Sequence, residues 1–275
     1  MTLRSYFPWA IASALCAILA FVIYPNLNYY HQDIFLAAGI NIILAVSLTL
    51  VNGFTGQFSL GHAGFMAVGA YTASTLTVFV LPGLALAAFG GNAFFAMSLI
   101  AGGLLAAGCG YLVGLPSLRL KGDYLAIVTL GFGEIIRVTL LNVPALGGPR
   151  GMTGIPPYAN QVWMIFSCLA VSFVVIRLIG TPSGRAMFSV REDEVAAEAM
   201  GVNTTRTKVK AFVLGAFWAG VAGGLYAHKF GNINPGAFGF MKSFEVVVIV
   251  VLGGLGSVSG AILAAIGLTI LPEAL

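Results

Sequence analysis

Apolar residues run along most of this chain in long unbroken stretches. They show neither the two-residue alternation of a half-buried strand nor the polar stripe of a surface helix. Crossing the ~30 Å hydrocarbon core of a bilayer takes about 20 helical residues. Windows that meet this need fall at about 8–25, 34–51, 61–81, 93–115, 124–142, 161–179, 209–227 and 244–271. Pro8, Pro25, Pro82, Pro116 and Pro182 stand at window edges, where a missing backbone N–H costs least. The pattern predicts an all-α, polytopic membrane protein with about eight transmembrane helices. Two places break it. Gly53, Gly56, Gly61 and Gly64 punctuate residues 50–71, which predicts a broken or re-entrant segment, because irregular backbone survives at membrane depth only where protein or a cavity covers it. Gly253, Gly254, Gly256 and Gly260 fall inside the last window and are read, like Gly131 and Gly133, as small-residue packing between helices.

Composition agrees with this reading and narrows it. Hydrophobic residues make up 59% of the 275, and 13 basic plus 9 acidic side chains amount to 8%, against roughly 25% charged in a soluble domain. Such a chain cannot cover a water-facing globule, so a cytosolic enzyme and a disordered chain are excluded. A nucleic-acid binder is excluded too, because a net charge of +4 spread along the chain makes no phosphate-binding stripe. Cys16, Cys109 and Cys168 lie in apolar runs without metal or disulfide spacing, and no metal site is expected. Arg4 before the first apolar run imitates a signal peptide, but no A-x-A-like site follows, so an uncleaved helix is expected. With the N-terminus in the cytoplasm, Arg4, Arg119, Lys121, Arg177, Arg185, Arg191, Arg206, Lys208 and Lys210 face inward. Arg150, Lys229 and Lys242 face outward, and Arg137 falls within a span. The basic excess supports that orientation.

The charges are uneven. Between the sixth and seventh windows, TPSGRAMFSVREDEVAAEAMGVNTTRTKVK gathers Arg185, Arg191, Glu192, Asp193, Glu194, Glu198, Arg206, Lys208 and Lys210. Its middle, Glu192 to Met200, is helix-forming with its acids first, as a helix dipole favours, and Gly201 and Asn203 are expected to end it. Ala196, Ala197 and Ala199 would let a partner protein approach closely. Asn203-Thr204-Thr205 matches a glycosylation sequon, but on the cytoplasmic side it has no such use.

These residues carry a resemblance. Ala196, Ala197 and Gly201 stand at the spacing of the E-A-A-x-x-x-G coupling loop of ABC importer permeases, although Val195 fills the first acidic position and Glu194 lies one residue early. With LVNGFTGQFSLGHAGFMAVGAY (50–71), LRLKGDYLAIVTLGFGEIIR (118–137) and GGPRGMTGIP (147–156), the chain closely resembles permeases of the branched-chain amino acid ABC transporter family, from about residue 34 onward. The resemblance implies a single transmembrane permease domain, 1–275, with a cytoplasmic coupling loop at about 180–208. Arg191, Glu192, Asp193, Glu194, Ala196, Ala197, Glu198 and Gly201 would couple it to an ATPase. It implies a second permease subunit, two cytoplasmic ATPase subunits, a periplasmic or extracellular substrate-binding protein and the lipid of a bacterial inner membrane. No cofactor and no catalytic residue are expected in this chain, and ATP would be bound by the partner: no G-x-x-x-x-G-K-[ST] is present to cradle its phosphates. Family members usually continue through another helix beyond the point where this chain stops, so a fragment or truncated product is expected.

Polar groups at bilayer depth are functional candidates. Asn52, Gln57, Ser59 and His62 in the broken segment, and Glu134 with Arg137 three residues on, are the candidate substrate path. Each also has a structural reading: a satisfied histidine, or a helix-face ion pair. Urea, short amides and aromatic acids remain alternative cargoes. An ion-coupled secondary transporter is the rival mechanism. A membrane-embedded enzyme lacks support, since His31, His62 and His228 are isolated.

Overall fold

The computed structural model of the chain describes residues 24–80, 91–117 and 122–274. The expected span at 8–25 lies almost wholly outside the described residues, as do Arg4, Arg119 and Lys121. The elements are α1 (Tyr29–Leu48), α2 (His62–Thr75), α3 (Gly91–Ser117), α4 (Asp123–Leu141), α5 (Gln161–Ile179), α6 (Pro182–Glu192), α7 (Glu194–Ala199), α8 (Thr204–Phe230), α9 (Phe240–Leu252) and α10 (Val258–Ala274). Two-residue strands, β1 (Met152–Thr153) and β2 (Asn232–Ile233), pair antiparallel and tie the loop after α4 to the end of α8. Among the described residues, seven helical segments are long and apolar enough to cross a bilayer, and Val258–Glu273 is apolar but shorter. The protein is an all-α polytopic membrane protein.

α2, α3 and α8 form the centre, with α1 against α8 and the α9–α10 hairpin against α1. Apolar side chains gain nothing by leaving lipid for one another, so contact depends on close approach. A Cβ added at Gly69 would stand 2.1 Å from the Gly220 carbonyl oxygen, and one at Gly223 would stand 1.9 Å from that of Met66. On the other side of α8, a Cβ at Gly103 would meet the Phe217 ring at 2.7 Å. These three helices touch backbone to backbone.

The chain departs from the predicted spans in two places. α1 runs on through a π-helical turn, Thr49–Gly53, and residues 54–61 are then non-helical and largely buried. α2 starts only at His62, already inside the bundle: the Leu60 N–H donates to Thr129 Oγ1 of α4 (3.0 Å) and the Ala63 N–H to Ser243 Oγ of α9 (3.1 Å). The break expected from the glycines is therefore real, and its backbone is sealed by hydroxyls from two other helices. The window 244–271 is not one crossing. It reverses at residues 253–257, where Gly254 and Gly256 both hold φ of +88°, a conformation that a side chain disfavours. Gly253 and Gly260 let the two arms of that turn press together, since a Cβ at Gly260 would lie 1.8 Å from the Gly253 carbonyl oxygen. Average hydropathy cannot register a turn made of glycine, so one long window concealed two helices.

The α2–α8 contact generates a test. Gly69→Ala places a methyl against backbone that cannot rotate away, an overpacking defect of about 1–3 kcal/mol. Gly108→Ala on α3, with nothing within 4 Å of the added carbon, should be neutral. Thermal unfolding of the detergent-solubilised protein should be lowered only by the first.

Candidate functional site

Directions along the helices define two faces. One carries α6 and α7, together with Gly53, Gly122, the start of α8 and the α9–α10 turn. The other carries Tyr29, the 144–158 loop and the end of α8, where Lys229 Nζ donates to the Asp33 carbonyl (2.6 Å).

α6 begins at Thr181, whose hydroxyl accepts from the Gly184 N–H, with Pro182 in the first turn. It buries Met187 and Val190. The helix expected over Glu192–Met200 is shorter. Asp193 stands between α6 and α7 and caps α7, its Oδ1 accepting from Val195 N (2.8 Å) and Ala196 N (3.0 Å), as an N-cap aspartate does. Gly201, at φ +82°, ends it, and Val202 N returns to the Ala197 carbonyl (3.0 Å). Asn203 does not terminate this helix. It opens the next one, accepting from Arg206 N at 2.8 Å. Ala197 is buried, whereas Val195 and Met200 are 69% and 84% exposed, an apolar spot on a short charged helix.

Three contacts lock this segment to the bundle. Lys208 Nζ of α8, whose side chain is only 7% exposed, reaches Glu194 Oε1 at 2.6 Å. Thr204 Oγ1 donates to Glu198 Oε1 at 2.5 Å. Arg191 Nη1 donates to the Gly53 carbonyl at 2.9 Å, while its stem covers Gly56, where a Cβ would lie 3.2 Å from Arg191 Cγ. On its far side a Cβ at Gly256 would lie 2.7 Å from Nη1. The two glycine breaks also touch each other, since a Cβ at Gly53 would lie 2.5 Å from Gly256 N, and the guanidinium sits beside both, at the end of α1 and between α9 and α10.

The candidate path residues divide into two groups. Asn52 Oδ1 accepts from Ser59 N at 3.2 Å, bridging the broken segment. His62 Nε2 pairs with Ser47 Oγ at 2.7 Å between α1 and α2. Gln57 is buried, with neither amide atom bonded, and Asn52 Nδ2 is likewise unpaired among the described residues. Gln57 lines a cleft of about 230 Å³ with Arg191, Glu194 and Lys208. Glu134 and Arg137 are elsewhere. They pair at 2.7 Å about 16 to 21 Å along α4 from its start at 1.5 Å per residue. Among the described residues no three His, Cys, Asp or Glu side chains gather as a metal would need.

Sequence reasoning passed over one cluster. Asn41 is the midpoint of the helical segment Tyr29–Gly53. Its Oδ1 accepts from Lys242 Nζ (3.0 Å), and its Nδ2 donates to Thr269 Oγ1 (2.9 Å) and Glu245 Oε1 (3.5 Å). Lys242 Nζ also reaches both Glu245 oxygens at 3.0 Å. A lone asparagine in the middle of an apolar window was the available signal.

A helical bundle broken by glycine at membrane depth, with a charged surface helix locked to the breaks, has the build of a membrane permease. The chain belongs to the family described as branched-chain amino acid transport system / permease component, whose model matches residues 30–274. It is 39% identical over 276 residues to the high-affinity branched-chain amino acid transport system permease protein LivM of Escherichia coli (strain K12), covering 88% of this chain and 62% of that protein. It is 28% identical to the probable branched-chain amino acid transport permease protein LivM of Methanocaldococcus jannaschii, covering 82% and 75%. To the permease protein LivH of Escherichia coli (strain K12) it is 25% identical, covering 80% and 77%. The chain thus spans less than two thirds of the length of the first of these relatives. No solved structure matches it.

The Lys208–Glu194 pair yields a stability prediction. Glu194→Ala strands a nearly buried ammonium and should cost about 2–3 kcal/mol, below the ~3–5 of a fully buried pair because Glu194 is partly solvated. Adding Lys208→Met should recover most of the loss in thermal unfolding. A double variant as unstable as the single one would refute the pairing energy.

Proposed function

We propose that this chain is a membrane-spanning permease subunit of an ATP-driven ABC importer whose cargo is branched-chain amino acids. Family membership and the names of the relatives support the cargo class. The observation that carries the mechanism is Arg191, bonded to Gly53 and pressed against Gly256. A push on α7 reaches the end of α1 and the α9–α10 turn through one rigid, planar group. The α6–α7 face is then cytoplasmic, and the exposed Val195 and Met200 beside Glu192 and Asp193 receive an ATPase subunit, which binds the ATP. Two such subunits, a second permease subunit and a substrate-binding protein on the opposite face complete the assembly in a bacterial inner membrane, with the N-terminus in the cytoplasm. The chain itself holds no cofactor and makes or breaks no bond. That it resembles both LivM and LivH favours two related permeases side by side.

Co-purification with an ATPase subunit, followed by leucine uptake in proteoliposomes that requires ATP, is the direct test. Gradient-driven uptake by the lone chain would overturn this reading in favour of a secondary transporter. Within the assembled importer, Gly201→Val strains a φ of +82° that β-branched residues avoid. Arg191→Ala cuts the link to both breaks. Each should lower leucine imported per ATP hydrolysed at least tenfold with the protein still inserted, and normal uptake by both would count against α7 as the coupling element.

A further inference from the structure

The cluster on α9 and the ion pair on α4 are both only partly covered. Side-chain exposure is 28% for Arg137 and 36% for Glu134, and 20% for Lys242 and 49% for Glu245. Charges at this depth do not face hydrocarbon; they face protein or water. Arg137 packs beside the start of α9, where a Cβ at Gly239 would lie 3.8 Å from Arg137 Cδ, and Lys242 is three residues further on. α4 runs away from the α6–α7 face and α9 runs back toward it. On α4 the acid precedes the base and on α9 the base precedes the acid, so antiparallel packing puts Arg137 and Lys242 on the outer level. Glu134 and Glu245 start three residues deeper along their helices, about 4.5 Å by helical rise.

Resting on the reading of this chain as an amino-acid permease, we propose that Glu134–Arg137 and Lys242–Glu245 form one wall of the translocation path and orient a zwitterionic amino acid. The cargo carboxylate sits at the outer, cationic level and its ammonium at the inner, anionic level. Each pair can lend one charge to the cargo while keeping the other satisfied. On α9 the Asn41 amide holds both Lys242 and Glu245 in place while that exchange occurs. Met241 and Phe244, exposed beside the pair, give an apolar ledge for a branched side chain. A solute with only one charge satisfies only one level, so the wall favours zwitterions over simple anions and cations.

The test uses the complete importer in proteoliposomes, measuring leucine uptake per ATP hydrolysed. Glu245→Gln keeps the shape and the acceptor for Asn41 but removes the inner charge, and uptake per ATP should fall at least tenfold. The swap Lys242→Glu with Glu245→Lys is decisive. It preserves an ion pair, and the Asn41 amide can turn over to serve either polarity, yet the levels are inverted. Uptake should stay at least tenfold down. Recovery to the unaltered rate would identify the pair as purely structural and overturn the proposal. Should either α9 variant fail to assemble as a monodisperse complex, the swap Glu134→Arg with Arg137→Glu carries the same two outcomes. Uptake by the unaltered importer tests the permease reading on its own, whereas the ratio of variant to unaltered protein tests only the wall.

Discussion

The contact on which the rest is hung is the crossing of α2 and α8, where Gly69 and Gly220 bring two backbones together with no room for a single methyl group. In water, helices associate because burial removes apolar surface from solvent. In a bilayer that gain is absent, and association rests on dispersion at close range and on polar contacts. Glycine supplies the range. Because α2, α3 and α8 meet this closely, the bundle has a rigid centre around which other segments depart from helical form.

Those departures obey a second constraint, that backbone without water needs protein partners. Residues 54–61 leave the helix, and their freed N–H groups go to Asn52, Thr129 and Ser59, while Ala63, in the first turn of α2, donates to Ser243. The turn between α9 and α10 lies directly against the same region, Gly53 on Gly256, and Arg191 reaches both from the surface helix. Both irregular segments are thus joined to one cation whose position depends on α6 and α7. A rigid centre thus carries two breaks that touch each other and share one cation from the surface segment.

Much of this was legible in the residues. Apolar windows and scarce charge placed the chain in a bilayer, and Gly53, Gly56 and Gly61 marked a break that exists. Glu134 and Arg137, three apart, share a helix face that allows them to pair, and they do so at 2.7 Å. The acids before Ala196 and the glycine at 201 announced a short helix. Asp193 caps that helix and Gly201 turns out of it. What escaped was whatever joins distant positions. Lys208 reads as one more cytoplasmic cation until Glu194 is found at 2.6 Å. Asn41, Lys242, Glu245 and Thr269 are separated by up to 228 residues, and no local pattern brings them together. Asn203 was assigned to the wrong helix because the same side chain serves as a stop or as a cap, and only the following backbone decides which.

By itself, then, the sequence determined the solvent of this protein, its helical content, the location of its charged surface segment and the points at which helices must break. These follow from composition and short-range spacing, since transfer to lipid and backbone freedom are properties of each residue and its nearest neighbours. The tertiary structure alone decided that the last apolar window folds back on itself, that Arg191 touches both breaks, and that Asn41, Lys242, Glu245 and Thr269 meet. Those depend on which backbones approach within a methyl's width and on the relative direction of helices, and both are set by packing among segments far apart in the chain.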